Sequence, residues 1–327
     1  MLISTGERAP DARAAQAQRA QKDANGTVSM QAISTKPDQG STAPAKSAGG
    51  IRIGSIAQMA RGTAWRLEQL HSHDHDILLW ITRGQGRMIL QGLRSGIGTH
   101  NAVFVPAHTL LALDLGKQGF GLALHLPRAH DLGLPEEPQH LRIRDVQAQA
   151  EISSILDIMQ REQSGNRPHF DEAMRAHSIL LSVWMRRQML EHADDMPRIS
   201  AAHRLVQAYC AMVARDYASP KLMGDYAHEL GVTPTHLTRS CREASGLTAA
   251  EILTQRSLYA ARDQIETTNR PLQEIGQSLN FSSAAYFSRF VQHHTGQSPS
   301  NLRRVAKRQD SAPAAPRPAT GRVGAPL

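Results

Sequence analysis

Ile275-Gly276-Gln277-Ser278-Leu279-Asn280-Phe281-Ser282-Ser283-Ala284-Ala285-Tyr286-Phe287-Ser288-Arg289-Phe290 breaks into two short helical segments around a turn. With Leu272 included, apolar residues recur every three or four positions up to Leu279, the period of a helix with one buried face. Asn280 suits the left-handed conformation that ends a helix, and Phe281 is placed to drop into the core. Ser282 is expected to cap the next helix, which carries Tyr286, Phe287, Arg289 and Phe290.

The same grammar occurs about fifty residues upstream. Leu222, Tyr226, Ala227 and Leu230 form the expected buried side of a first helix, followed by Gly231 for the turn and Val232 for the core slot. Thr233 is then placed as cap and Pro234 as first helical residue, where its missing N–H costs nothing. The second helix runs through His236, Leu237 and Arg239 to Ala244. Ala227 corresponds to Gly276 and Leu230 to Leu279 at a spacing of 49, whereas Arg239 corresponds to Arg289 at 50, so one residue is inserted. A helix, a tight turn and a capped second helix make a helix-turn-helix, whose second helix enters a major groove. Two copies on one chain are expected to read successive major grooves about 34 Å apart.

The stretch 275–290, followed by Gly296-Gln297-Ser298-Pro299, resembles the signature of the AraC/XylS-type transcription regulators. The resemblance covers about residues 201–307, with Arg256, Ala260 and Ala261 where the family's long connecting helix begins. It implies a seven-helix domain with two helix-turn-helix units. Carried over residue by residue, base-reading positions fall on Thr235, Thr238 and Arg239, and on Ala284, Ala285, Ser288 and Arg289. Ser240 and Cys241 depart from the polar and bulky residues usual in the first unit. Alanines offer base edges only methyl contacts, so the second helix is expected to fix position more than to discriminate sequence. For Arg239 and Arg289 the alternative is a carboxylate partner or plain solvation.

Charge agrees with this placement. The 327 residues carry a formal net charge of +8. Residues 198–308 hold fourteen Lys/Arg against eight Asp/Glu, while residues 51–197 hold fifteen against sixteen. A near-neutral module joined to a basic one points to a polyanion as partner of the basic part. Nothing approaches the twenty or so apolar residues of a spanning helix, and residues 1–4 lead into no apolar core of signal-peptide length. Two cysteines, Cys210 and Cys241, are too few for a disulfide scaffold or a cysteine zinc site, and read as small buried hydrophobes.

Residues 1–50 and 309–327 are poor in large apolar residues and are expected to be disordered. Between residues 51 and 127, short runs at 77–82, 87–90, 102–105, 110–115 and 121–126 read as strands, with a hairpin turn at Arg83-Gly84-Gln85-Gly86. Residues 65–108, including Gly84, Gly86 and Val105-Pro106-Ala107-His108, also resemble the cupin-like sensor domain of the same regulators. Residues 128–198 read as a linker with two helices, the first carrying Ile152, Ile155, Leu156 and Met159. The second carries Phe170, Met174, Leu180, Leu181, Trp184 and Met185, and packs on the barrel or forms a dimer contact. The expected architecture is thus α+β: a cupin-like barrel, a helical linker and an all-α DNA-binding domain over 199–308.

His71, His73 and His75 alternate ahead of the 77–82 strand, a period that puts all three on one face if the strand extends so far. The glutamate that metal-binding cupins place shortly after such a pair is absent, since Asp76, Ile77, Leu78 and Leu79 follow. His108 or His125 is left as a distant ligand. The favoured use is hydrogen bonding of a small anionic effector by His73, His75, Arg83 and His108, with no metal and no cofactor. The functional expectation is a cytoplasmic, nucleoid-associated, homodimeric regulator of promoter DNA that responds to a small molecule and contacts RNA polymerase, without enzymatic activity. The rival is a metal-dependent cupin enzyme with an appended helical domain.

Overall fold

The computed structural model describes residues 50–128, 131–165, 167–193 and 200–310. The expected leader, except Gly50, and the tail beyond residue 310 lie outside the described residues. Eight strands form two antiparallel sheets. The larger, in the order β1-β7-β2-β5-β8, contains β1 (Arg52–Ser55), β2 (Asp76–Arg83), β5 (Asn101–Val105), β7 (Phe120–Leu126) and β8 (Gln139–Arg142). The smaller, β4-β3-β6, contains β3 (Gln85–Leu90), β4 (Leu93–Gly98) and β6 (Leu111–Asp114). Among the described strands no ladder joins the two sheets, so the expected barrel is an open two-sheet arrangement.

The alternation of β2 explains the layering. Ile77, Leu79 and Ile81 point between the sheets to meet Met88, Ile97, Leu111 and Leu113, while Leu78 and Trp80 point the other way. With both faces covered, β2 reads as one apolar run. Residues 83–86 do not turn a hairpin: β2 pairs with β5 and β7, and β3 pairs with β4 and β6, so the chain crosses there between sheets. Gly84 takes φ +97°, and a Cβ on Gly86 would collide with the Asp114 carbonyl. The true hairpin joins β3 to β4, with Leu90 opposite Leu93 and Gln91 and Gly92 both at positive φ, the twist a two-residue hairpin prefers.

The outer face of the larger sheet is covered by α3 (Val146–Gly165) and α4 (Phe170–Glu191). Ile152, Leu156 and Met159 of α3 and Met174, Leu181 and Met185 of α4 join Leu78, Phe104 and Leu124 in one core. Trp184 belongs to that core too: it is 2% exposed and its indole N–H donates to the Ala148 carbonyl at 3.1 Å. Of the apolar run on α4, it is Ile179, Leu180 and Leu190 that face solvent.

Seven helices follow: α5 (Ala201–Asp216), α6 (Met223–Glu229), α7 (Pro234–Ser245), α8 (Ala249–Thr267), α9 (Leu272–Ser278), α10 (Ala284–Thr295) and α11 (Pro299–Asp310). Two short helices, α1 (Ile56–Met59) and α2 (Trp65–Glu68), precede β2. Val206, Tyr209, Cys210 and Val213 of α5 and Leu237 and Cys241 of α7 share a core with Leu70, Leu110 and Ala112, on the outer side of the smaller sheet. Phe287, Val291, Ile275 and Ile265 build a separate core for the second half of the domain. Both cysteines are buried and free, and burial pushes the Cys241 thiol up to about 12 and that of Cys210 higher still, which keeps them inert.

Candidate nucleic-acid interface

The two halves of the helical domain repeat bond for bond. Gly231 and Asn280 adopt φ +67° and +60° at the turns. The Val232 amide then donates to the Ala227 carbonyl at 3.0 Å, and the Phe281 amide to Gly276 at 2.9 Å. Thr233 accepts the His236 amide at 3.2 Å as cap of α7. The corresponding cap of α10 is Ser283, which accepts the Tyr286 amide at 3.1 Å, so Ser282 is the inserted residue and not the cap expected from sequence. Both helices end on a left-handed glycine, Gly246 and Gly296. The repeat continues past them: Ser245 and Thr295 each back-bond the preceding turn and accept an amide from the following loop. Leu222 departs from expectation, being the N-cap of α6 and 73% exposed.

This framework holds α7 and α10 with their inner faces anchored and their outer faces free. Leu237, Cys241, Phe287 and Val291 are buried. Thr235 and Arg239 on α7, and Ala284, Ala285 and Arg289 on α10, are exposed, with Thr238 and Ser288 half-buried beside them. Neither reading face is covered by the sheets. Among the described residues Arg239 and Arg289 take no part in the domain's ion pairs, whereas Arg215 and Lys221 hold Asp216, Arg262 holds Glu266 and Arg270 faces Glu274. Two guanidinium groups left to solvent at equivalent positions can meet guanine edges or phosphates. Tyr286, 51% exposed in the first turn of α10, adds an aromatic surface that the sequence pattern assigned only to the helix.

The expected effector residues divide into two places. His73, His75 and His108 gather at the start of β2, where the His108 amide donates to the His73 carbonyl at 2.7 Å. Arg83 sits at the other end of the strand, about 23 Å away at the usual rise per residue. Strand β2 begins only at Asp76, yet the three alternating histidines do pack in a row: the rings of His71 and His73 meet edge-on with centroids 5.0 Å apart, and those of His73 and His75 lie tilted at 5.2 Å. His125 of β7 completes the file, its Nδ1 2.8 Å from His75 Nε2. Burial lowers the His125 pKa to about 4, helped by His75 and Arg52. No three side chains of the described residues converge as metal ligands here.

Residues 226–305 match a helix-turn-helix domain family. The bifunctional transcriptional activator/DNA repair enzyme AdaA of Bacillus subtilis (strain 168) is 27% identical over 79 residues, 24% of this chain. That match spans 37% of the length of AdaA. Among solved structures, ToxT from Vibrio cholerae aligns over 77% of this chain and 97% of its own, at 11% identity and a TM-score of 0.38. An AraC-type DNA-binding regulator from Chromobacterium violaceum aligns over 32% of this chain and 94% of its own, at 21% identity and a TM-score of 0.30. The region from residue 226 to 305 is a helix-turn-helix domain, and its geometry resolves two such units. None of the described helices is long and apolar enough to cross a membrane.

Proposed function

We propose that the chain is a sequence-specific transcription regulator that binds promoter DNA through α7 and α10 and answers to a small-molecule effector held by its N-terminal domain. The observation that carries this reading is the repetition, in two units with open outer faces, of turn, cap and an arginine that takes no ion-pair partner among the described residues. Thr235, Thr238 and Arg239 supply base recognition. Ala284, Ala285, Ser288 and Arg289 supply methyl contacts and anchorage to the backbone. The protein acts in the cytoplasm on the nucleoid, as a homodimer that engages RNA polymerase, and is not an enzyme.

Binding to promoter and random DNA by the full chain and by Arg239→Ala tests the central claim. A bidentate contact to guanine is worth about 1–3 kcal/mol of discrimination. Loss of specific binding with non-specific binding retained is expected; equal loss of both removes the base-reading role. Stoichiometric iron, nickel or manganese with turnover would instead favour the rival metal-dependent enzyme built on the histidine file.

Effector binding draws support from two features of the sheet domain. His73, His75 and His108 cluster at one end. At the other, beside Arg83, an open groove of about 550 Å³ is lined by Gly84, Gln85, Thr99 and Lys117 among others. Protection of promoter DNA with and without small carboxylic acids tests this part separately from the DNA contacts.

A further inference from the structure

The sensor and DNA-binding domains meet along a polar seam between α2 and α8. Arg66 reaches across to Asp263 at 2.5 Å and Glu266 at 3.2 Å. The Trp65 ring lies under the guanidinium of Arg262, 4.0 Å from its centroid, and meets Tyr259 edge-on at 5.4 Å. Tyr259 in turn stacks on His71 at 4.8 Å and 15°. The four-imidazole file therefore runs from β7 of the sensor sheet to the connecting helix of the DNA-binding domain. Its inner end is poorly satisfied: among the described residues, Nε2 of His71, Nε2 of His73 and Nε of Arg256 are buried without a hydrogen-bond partner.

Charge around the file is already unbalanced toward positive. From α2 and α8 the facing groups are Arg66, Arg256 and Arg262 against Asp263 and Glu266, with the Tyr259 hydroxyl between. Arg256 lies over the Tyr217 ring, at 3.7 Å. At the outer end stand Asp74, hydrogen-bonded to His75, with His108 nearby, and Arg52 beside His125. Further along, Asp76 is held by the Ala107 amide and Arg128. A proton added to the inner rings would sit about 5 Å from the next imidazole and face Arg256.

We propose that this histidine file makes the seam a proton-sensitive lock, closed while the imidazoles are neutral and released by acidification so that α8 and its recognition helices part from the sensor domain. Burial holds the His71 pKa down to about 4, with Arg256 adding to the effect against the opposing Gln69 carbonyl and Asp263. Burial lowers His73 well below its usual value as well, with His71, His75, His125 and Arg256 reinforcing it. Once the seam opens, both return toward the ordinary value near 6.5, so the open form binds more protons. The closed form thus has its full stability above about pH 6.5 and loses it as pH falls from there toward 4. At pH 5.5 His71 alone shifts the equilibrium about tenfold toward opening, and His73 acts in the same direction. Glu266 works in the opposite sense, because burial raises its pKa, and it offsets part of the histidine effect. The lock operates whether or not the effector reading holds.

Trp80 and Trp184 are enclosed in the sheet core, so acrylamide quenching of the full chain reports Trp65 at the seam. Lowering pH from 7.5 to 5.5 is expected to raise the quenchable fraction and the radius of gyration in solution scattering, with far-UV circular dichroism unchanged. The double variant H71F/H73F, which keeps ring stacking without titration, is expected to lose that response, and Arg66→Ala to be open at both pH values. A full chain whose quenching and radius are the same at both pH values overturns the lock, as does an equal response in H71F/H73F. Should the double variant not fold, histidine NMR on the unaltered chain decides. Inner imidazoles titrating near 6.5 while quenching stays low overturn the lock; titration coincident with opening upholds it.

Discussion

Thr233 and Ser283 cap the two recognition helices with the same bond, each accepting the amide three residues on, fifty positions apart in the chain. Ser282 intervenes because the second turn is one residue longer. Losing a side-chain cap costs about 1 kcal/mol. Ser283→Ala is therefore expected to lower the free energy of unfolding in urea by that amount, and Ser282→Ala to leave it within about 0.5 kcal/mol.

Arg289 projects from a helix whose neighbouring positions, Ala284 and Ala285, carry no hydrogen-bonding group. Anchorage to phosphate rather than base discrimination is its expected contribution. Arg289→Ala should weaken promoter and random DNA alike and reduce the slope of log affinity against log salt by about one. A change confined to the promoter sequence would place Arg289 on a base edge instead.

Helix α4 separates two roles that the apolar run around Trp184 joins in the sequence. Trp184→Ala removes a core ring and is expected to cost about 3–5 kcal/mol in thermal or urea unfolding. Leu180 is 55% exposed, so Leu180→Asp should leave the fold intact and lower the dimer fraction in analytical ultracentrifugation. An unchanged sedimentation profile would remove this face from the dimer contact.

Gly92 and Gly116 both have positive φ, but only one is crowded. A Cβ on Gly92 would stand 2.6 Å from Cys210 Sγ and 2.7 Å from Val206, whereas one on Gly116 would meet nothing. Gly116→Ala is expected to cost about 1 kcal/mol from backbone strain alone. Gly92→Ala should cost clearly more in the same melts, because the β3–β4 hairpin must back away from α5.

The parts of the fold governed by local pattern were legible in the sequence. The helix-turn-helix repeat announces itself through a turn glycine or asparagine, an apolar core residue (Val232 or Phe281) and a cap within a dozen residues. Five strands are visible as apolar runs bounded by glycine and proline. The remainder depends on distant partners. β8, with the sequence Gln139-His140-Leu141-Arg142, is a polar edge strand beyond a proline-rich passage and shows no alternation strong enough to single it out. The β3–β4 hairpin hides because Gln91 and Gly92 interrupt the run too briefly. His73, His75 and His108 do come together, since neighbouring loops carry them, but Arg83 does not. No local signal links Arg66 to Asp263, 197 residues away.

Leu70, Leu110 and Ala112 lend their side chains to the interior of the nucleic-acid-binding half, so the boundary drawn by sequence similarity cuts through shared packing. A fragment starting near residue 200 would leave Val206 and Cys210 wet on one flank. Expressed by itself it should aggregate or bind hydrophobic dyes, unless that flank is rewritten with polar side chains. Grafting this reader onto a foreign sensor would require transplanting β6 and the segment around Leu70 as well.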